Sequence, residues 1–255
     1  MSTTTDAPRR KRWPWFAGIA GVLVVALGVG VWYFVFRDDA PAAVSLSDAA
    51  ESVRERDTVT SSGTSSSDGD DSLSGTWRID TTIGSFSDFS STFVGYRVQE
   101  ELVNIGAKTA VGRTPDVSGS LTIDGTTITE VDIEVDMTTL VSDDSRRDGQ
   151  MEDQGLETSE FPTASFALTA PIELGSVPAE GEAISVDAIG ELTLHGVTKE
   201  VTFPLEATLQ NSVVVVTGSL EVQFADFEIG TPTSFTVLSV EDHGIIELQL
   251  FLTRS

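Results

Sequence analysis

His195 and His243 are the only two histidines among 255 residues, and each is followed by a glycine, as turns favour. His243 follows Asp242, with Ser239 and Ser234 just upstream, so nucleophile, base and carboxylate all occur within one short stretch. Adjacent Asp and His residues rarely reach triad geometry, and no G-x-S-x-G elbow accompanies them. For a metal, His195, His243, Glu241 and Asp242 lack H-x-x-x-H or H-E-x-x-H spacing. Glu130, Asp132, Glu134 and Asp136 recur every second position, which describes the solvated face of a strand. The glycines lie singly at turns, so no loop cradles a phosphate. Absence of cysteine excludes disulfides and thiolate chemistry. These residues predict neither an enzyme nor a metal site, and no cofactor is expected.

What the chain does carry is a series of one-sided strands. Side chains alternate between the two faces of a strand. Over 184–194 the even positions are Ile184, Val186, Ala188, Gly190, Leu192 and Leu194, and the odd ones are polar except Ile189. After the turn at His195-Gly196, Val201, Phe203, Leu205, Ala207 and Leu209 share a face. Val214, Val216, Leu220, Val222 and Phe224 continue the pattern, and Ile246, Leu248, Leu250 and Leu252 end it. Such faces must be covered.

Earlier in the domain, 75–80 reads as a first strand and 94–98 as a second. Between Glu100 and Val111 the period of two is lost, which predicts a short helix ending near Gly106. Strand 117–123 leads through Asp124-Gly125, a strong hairpin signal, into a returning strand over 128–140, whose dry face is Val131, Ile133, Val135 and Met137. The polar stretch 142–156 predicts a short helix capped by Ser142 or Asp143, and 164–168 is a further strand. About eight strands suit a small antiparallel barrel whose interior holds side chains or one ligand.

Ahead of this domain, 13–36 contains no charge and follows Arg9-Arg10-Lys11-Arg12. Roughly 20 apolar residues cross a bilayer. The basic cluster predicts a cytoplasmic amino terminus, and Trp13, Trp15, Trp32 and Tyr33 fit interfacial belts. A cleavable signal peptide, with Ala40-Pro41-Ala42 near its cleavage site, competes with this reading, but its apolar region would span only about 7–15 residues. The expected organisation is a cytoplasmic tail over 1–12, a transmembrane helix over 13–36, a flexible acidic and Ser-rich linker over 37–74, and a domain over 75–255. Within the linker, 47–53 has weak helical character.

The chain holds 40 acidic against 15 basic residues, a net charge of −25. This argues against anionic polymers such as nucleic acid and favours solubility.

Several motifs resemble the YceI-like, polyisoprenoid-binding family. They are Gly75-Thr76-Trp77-Arg78-Ile79-Asp80, Val94-Gly95-Tyr96-Arg97-Val98 and Val117-Ser118-Gly119-Ser120-Leu121. Arg147-Asp148-Gly149-Gln150-Met151 with Phe161-Pro162-Thr163-Ala164-Ser165-Phe166 follows, then Leu192-Thr193-Leu194-His195-Gly196-Val197-Thr198-Lys199. Where many members carry a histidine after the second strand, Gln99-Glu100-Glu101 stands here. The tether departs from the family's usual soluble periplasmic form and resembles an actinobacterial, membrane-anchored one. The resemblance implies an all-β, eight-stranded lipocalin-like barrel that sequesters a polyisoprenoid, isoprenoid quinone or similar lipid without catalysis. Val94, Tyr96 and Ile133 are then expected to line the cavity. The alternative is a filled barrel, a structural protein that presents acidic loops to cell-envelope partners. Interior volume separates the two.

Overall fold

The computed structural model describes residues 40–60, 73–231 and 237–255. Its strands are β1 (Gly75–Ile79), β2 (Phe93–Leu102), β3 (Gly106–Thr114), β4 (Val117–Asp124), β5 (Thr127–Asp136), β6 (Val141–Ser142), β7 (Thr163–Leu168), β8 (Ile172–Glu173), β9 (Ala183–Leu194), β10 (Val197–Gln210), β11 (Val213–Gln223), β12 (Val237–Val240) and β13 (His243–Arg254). Helix α1 spans Leu46–Thr60, and α2 spans Ser145–Gln150 with a π-helical turn over Met151–Gly155.

Eight strands close an antiparallel ring in the order β1, β4, β5, β7, β9, β10, β11, β13, with β13 returning to β1. One edge of β13 is shared: Leu252 to Arg254 pair with β1, and Ile245 to Gln249 pair with β2. The β2–β3 hairpin therefore extends the wall at one end of the ring, and its far edge meets β6. At that same end lie α2 and the β9–β10 turn.

The alternation read from the sequence holds on the long strands. Along β9 the even positions face inward while Ile189 is exposed. At the β9–β10 turn His195 (φ 52°) and Gly196 (φ 72°) are both left-handed, the requirement of a type I′ hairpin turn. Glu130, Asp132, Glu134 and Asp136 are all exposed.

Three local expectations change. Residues 100–111 form no helix: β2 runs on through Leu102 and β3 begins at Gly106, with Glu100 opposite Lys108 and Gln99 opposite Thr109. Asn104 (φ 63°) and Gly106 (φ 98°) make the turn, so the glycine expected to end a helix reverses a hairpin instead. The strand after Gly125 stops at Asp136, whose carboxylate caps a 3-10 turn over Met137–Thr139. Helix α2 is capped by Asp144, which accepts from the Arg146 amide, rather than by Ser142 or Asp143.

The largest correction concerns the flexible linker expected over 37–74. Its 40–56 portion lies docked on the outer wall. Leu46, Ala49, Ala50 and Val53, at spacings of three and four, are buried in α1. Leu46, Ala49 and Val53 pack with Ile83, Val213, Val215 and Phe251, a cluster separate from the barrel interior. Just before the helix, the carbonyls of Pro41 and Ala42 accept hydrogen bonds of 2.8 Å from Arg97 and Arg113. Those guanidinium groups hold Glu247, which is 1% exposed, at 2.9 and 3.1 Å. Arg113 also sits in the corner between the Phe89 and Phe93 rings, 4.5 and 4.3 Å from their centroids. Burial lowers the Arg113 pKa against the opposing pull of Glu247.

No helix among the described residues is long and apolar enough to cross a membrane. The expected span at 13–36 and the tail at 1–12 lie outside them.

Candidate functional site: the barrel interior

Inward residues of β2 to β5, β7, β9 to β11 and β13 enclose one apolar cavity of about 240 Å³. It reaches from Leu73, Pro178 and Leu209 at one end to Met151, Ile229 and Val240 beside α2 at the other. A dry cavity of about 150 Å³ already admits benzene, so this interior is not filled by its own side chains. Val94, Tyr96 and Ile133, the three lining residues expected from sequence, all reach it. Phe166, Leu192, Phe203 and Val216 join them, whereas Leu168 and Leu220 pack against the core without lining the space.

Close approach of the walls is built by glycine. Gly112 stands opposite Tyr96 across the β2–β3 ladder. A Cβ there would lie 2.4 Å from the tyrosine ring and 2.8 Å from Leu140, so only glycine lets the ring lie across it.

Polar groups gather at the α2 end. Glu100 and Arg147 both line the cavity and pair at 2.7 Å, while Arg147 also reaches Asp143 at 2.5 Å. Burial would lower the Arg147 pKa, but these carboxylates raise it overall. Desolvation raises the Tyr96 pKa and keeps the phenol neutral. Its hydroxyl is buried with no hydrogen-bond partner among the described residues. Sequence reading misses this group because it assigns Glu100 to a helix; the Arg147-Asp148 pair inside a family-like motif is the signal that points to it.

Neither histidine joins the cavity. His195 is buried, with Nδ1 3.1 Å from the Phe227 carbonyl, Nε2 3.0 Å from Glu157, and its ring 4.3 Å from that of Phe161. It clips the segment after α2 to the turn after β11, a structural role. His243 contacts Asp242 at 3.0 Å on the surface, where that hydrogen bond and nearby Glu241 and Glu221 raise its pKa. No hydrogen bond joins it to Ser239 among the described residues, and Ser234 lies outside them. The described residues contain no group of three or more His, Cys, Asp or Glu placed to hold a metal.

A closed antiparallel barrel with an apolar hollow defines a class of β-proteins able to enclose a small molecule. The YceI-like domain model matches residues 77–252, and the chain belongs to the YceI-like family. Among solved structures, it is similar to a polyisoprenoid-binding domain from Saccharophagus degradans implicated in plant cell wall breakdown. That match has 17% identity and a TM-score of 0.53, and covers 70% of this chain and 98% of that one. BcnA of Burkholderia cenocepacia matches at 19% identity and TM-score 0.49, over 62% of this chain and 95% of its own. At such identities the likeness is one of fold. No curated protein matches the chain.

Proposed function

We propose that this chain is a membrane-tethered, extracytoplasmic binding protein that sequesters or carries a polyisoprenoid, isoprenoid quinone or similar amphiphilic lipid, and performs no catalysis. The continuous apolar cavity carries this reading. Each methylene moved from water into such a space gains about 0.8 kcal/mol, so an apolar chain segment is held there without a polar trap. The polyisoprenoid-binding description of the Saccharophagus domain supports the same class of ligand. A hollow interior weighs against the filled barrel that would serve only as a partner-binding scaffold.

Anchoring rests on the uncharged run at 13–36. Because the chain is already held on the barrel wall at Pro41, little chain separates the expected span from the domain. Only residues 37–40 separate the uncharged run from Pro41, and four residues span at most about 14 Å, so the tether would be short. Carbonate extraction of membranes, with protease access to the carboxy terminus from outside, tests this topology; release by carbonate contradicts it.

Ala188, which is 1% exposed and lines the cavity, offers a way to fill it. The Ala188→Trp variant is expected to abolish prenyl-lipid uptake measured by equilibrium dialysis. Uptake equal to that of the unmodified protein would place the lipid elsewhere.

A further inference from the structure

We infer that the cavity receives, at its α2 end, a neutral hydrogen-bond-accepting oxygen on an apolar chain, that the Tyr96 hydroxyl donates to it, and that an anionic head is refused. This assignment rests on the carrier reading above and narrows its ligand class.

Two independent features of the site lead there. First, the Tyr96 hydroxyl is buried and unpartnered among the described residues, although leaving a buried donor unsatisfied is costly. Its position is fixed, since the ring is seated over Gly112 and beside Leu140. Nearby, Val94, Val98 and Met151 are apolar, and although Glu100, Arg147 and Gln150 also line this end, none of them hydrogen-bonds the phenol. The hydroxyl touches almost no open space in the empty barrel, so a ligand oxygen supplies the missing acceptor by displacing a neighbouring side chain.

Second, the cationic group at this end is already neutralised. Arg147 binds Glu100 at 2.7 Å and Asp143 at 2.5 Å, and Asp148 adds a further carboxylate to the field acting on Tyr96. With Arg147 already engaged by Glu100, Asp143 and Ser142, a phosphate or pyrophosphate, whose burial needs unpaired cationic donors, finds that charge already balanced. A quinone carbonyl or a prenol hydroxyl presents the required oxygen without charge. Burial keeps the phenol protonated, so it remains a donor throughout the physiological range.

The test uses the full chain in lipid nanodiscs and four probes: menaquinone-4, geranylgeraniol, geranylgeranyl pyrophosphate and the head-free hydrocarbon phytane. Each competes against tritiated menaquinone-4, and direct binding of tritiated phytane is measured beside it. The unmodified protein is expected to prefer menaquinone-4 or geranylgeraniol over the pyrophosphate at least tenfold. In Tyr96→Phe, binding of the preferred oxygen-bearing probe should weaken about tenfold, phytane should bind unchanged, and the thermal midpoint of the empty protein should stay level or rise. A loss confined to menaquinone-4 assigns the acceptor to a carbonyl, and one confined to geranylgeraniol assigns it to a hydroxyl. Unchanged binding of both to Tyr96→Phe, or pyrophosphate binding as tight as that of the alcohol, overturns the assignment while leaving the carrier reading in place. Failure of all four probes, phytane included, overturns the carrier reading itself.

Discussion

Glu247 shows how much a single side chain can hold on the outside of a barrel. Its carboxylate is buried between Arg97 and Arg113, and the same two guanidinium groups reach the Pro41 and Ala42 carbonyls. Removing one member of a buried ionic network strands the others without compensation, at a cost of about 3–5 kcal/mol. Glu247→Gln keeps the shape but leaves two buried cations, and should lower unfolding free energy in urea by about 3 kcal/mol. A change below about 1 kcal/mol would show that water reaches the arginines. Sequence alternation places Glu247 on the outer face of β13, where a charge reads as solvated. Its burial follows from the strap that crosses it, and strand parity carries no information about the strap.

Among the elements, inward faces are the legible part. Strands β9, β10, β11 and β13 each repeat apolar residues with period two because each has one face toward a dry interior. The docked helix α1 is less visible, since its partners Val213, Val215 and Phe251 lie on the opposite face. The uninterrupted run Val213-Val214-Val215-Val216 is the trace it leaves: both faces of β11 are apolar because both are covered. Introducing a charge at Val53, which is 2% exposed, should undock the helix. Val53→Asp is expected to cost about 2–3 kcal/mol and to raise binding of a hydrophobic dye, while a barrel truncated at Gly75 should aggregate through the same uncovered patch. Normal solubility of the truncated barrel would contradict the docking.

Helix α2, which brings Arg147 to the cavity, depends on its cap. Asp144 is depressed from 3.8 to about 2, chiefly by hydrogen bonds from the Arg146 side chain and amide. A folded pKa below the unfolded one means the contribution is complete above about pH 4 and is lost as pH falls through 2. Asp144→Ala should therefore destabilise by about 1 kcal/mol at pH 7, and the difference from the unmodified protein should shrink between pH 4 and pH 2. A gap independent of pH would assign the effect to packing rather than charge.

At the scale of the whole molecule, the sequence pattern marks the cavity-facing positions but leaves its emptiness open. Val94, Tyr96 and Ile133 face inward by alternation, yet the same pattern serves a filled core. Hollowness depends on ring size and on how far opposed side chains reach, as with Tyr96 over Gly112, and a one-dimensional pattern does not encode those distances. The polar end is hidden for a related reason, since Glu100 and Arg147 meet only after the β2–β3 hairpin and α2 converge.

Native mass spectrometry with lipid extraction, on the full chain purified from its own membranes, tests the central claim most directly. One prenyl lipid bound per barrel, absent from Ala188→Trp, is the predicted result. An empty barrel that also refuses added prenyl quinones and alcohols would contradict the account.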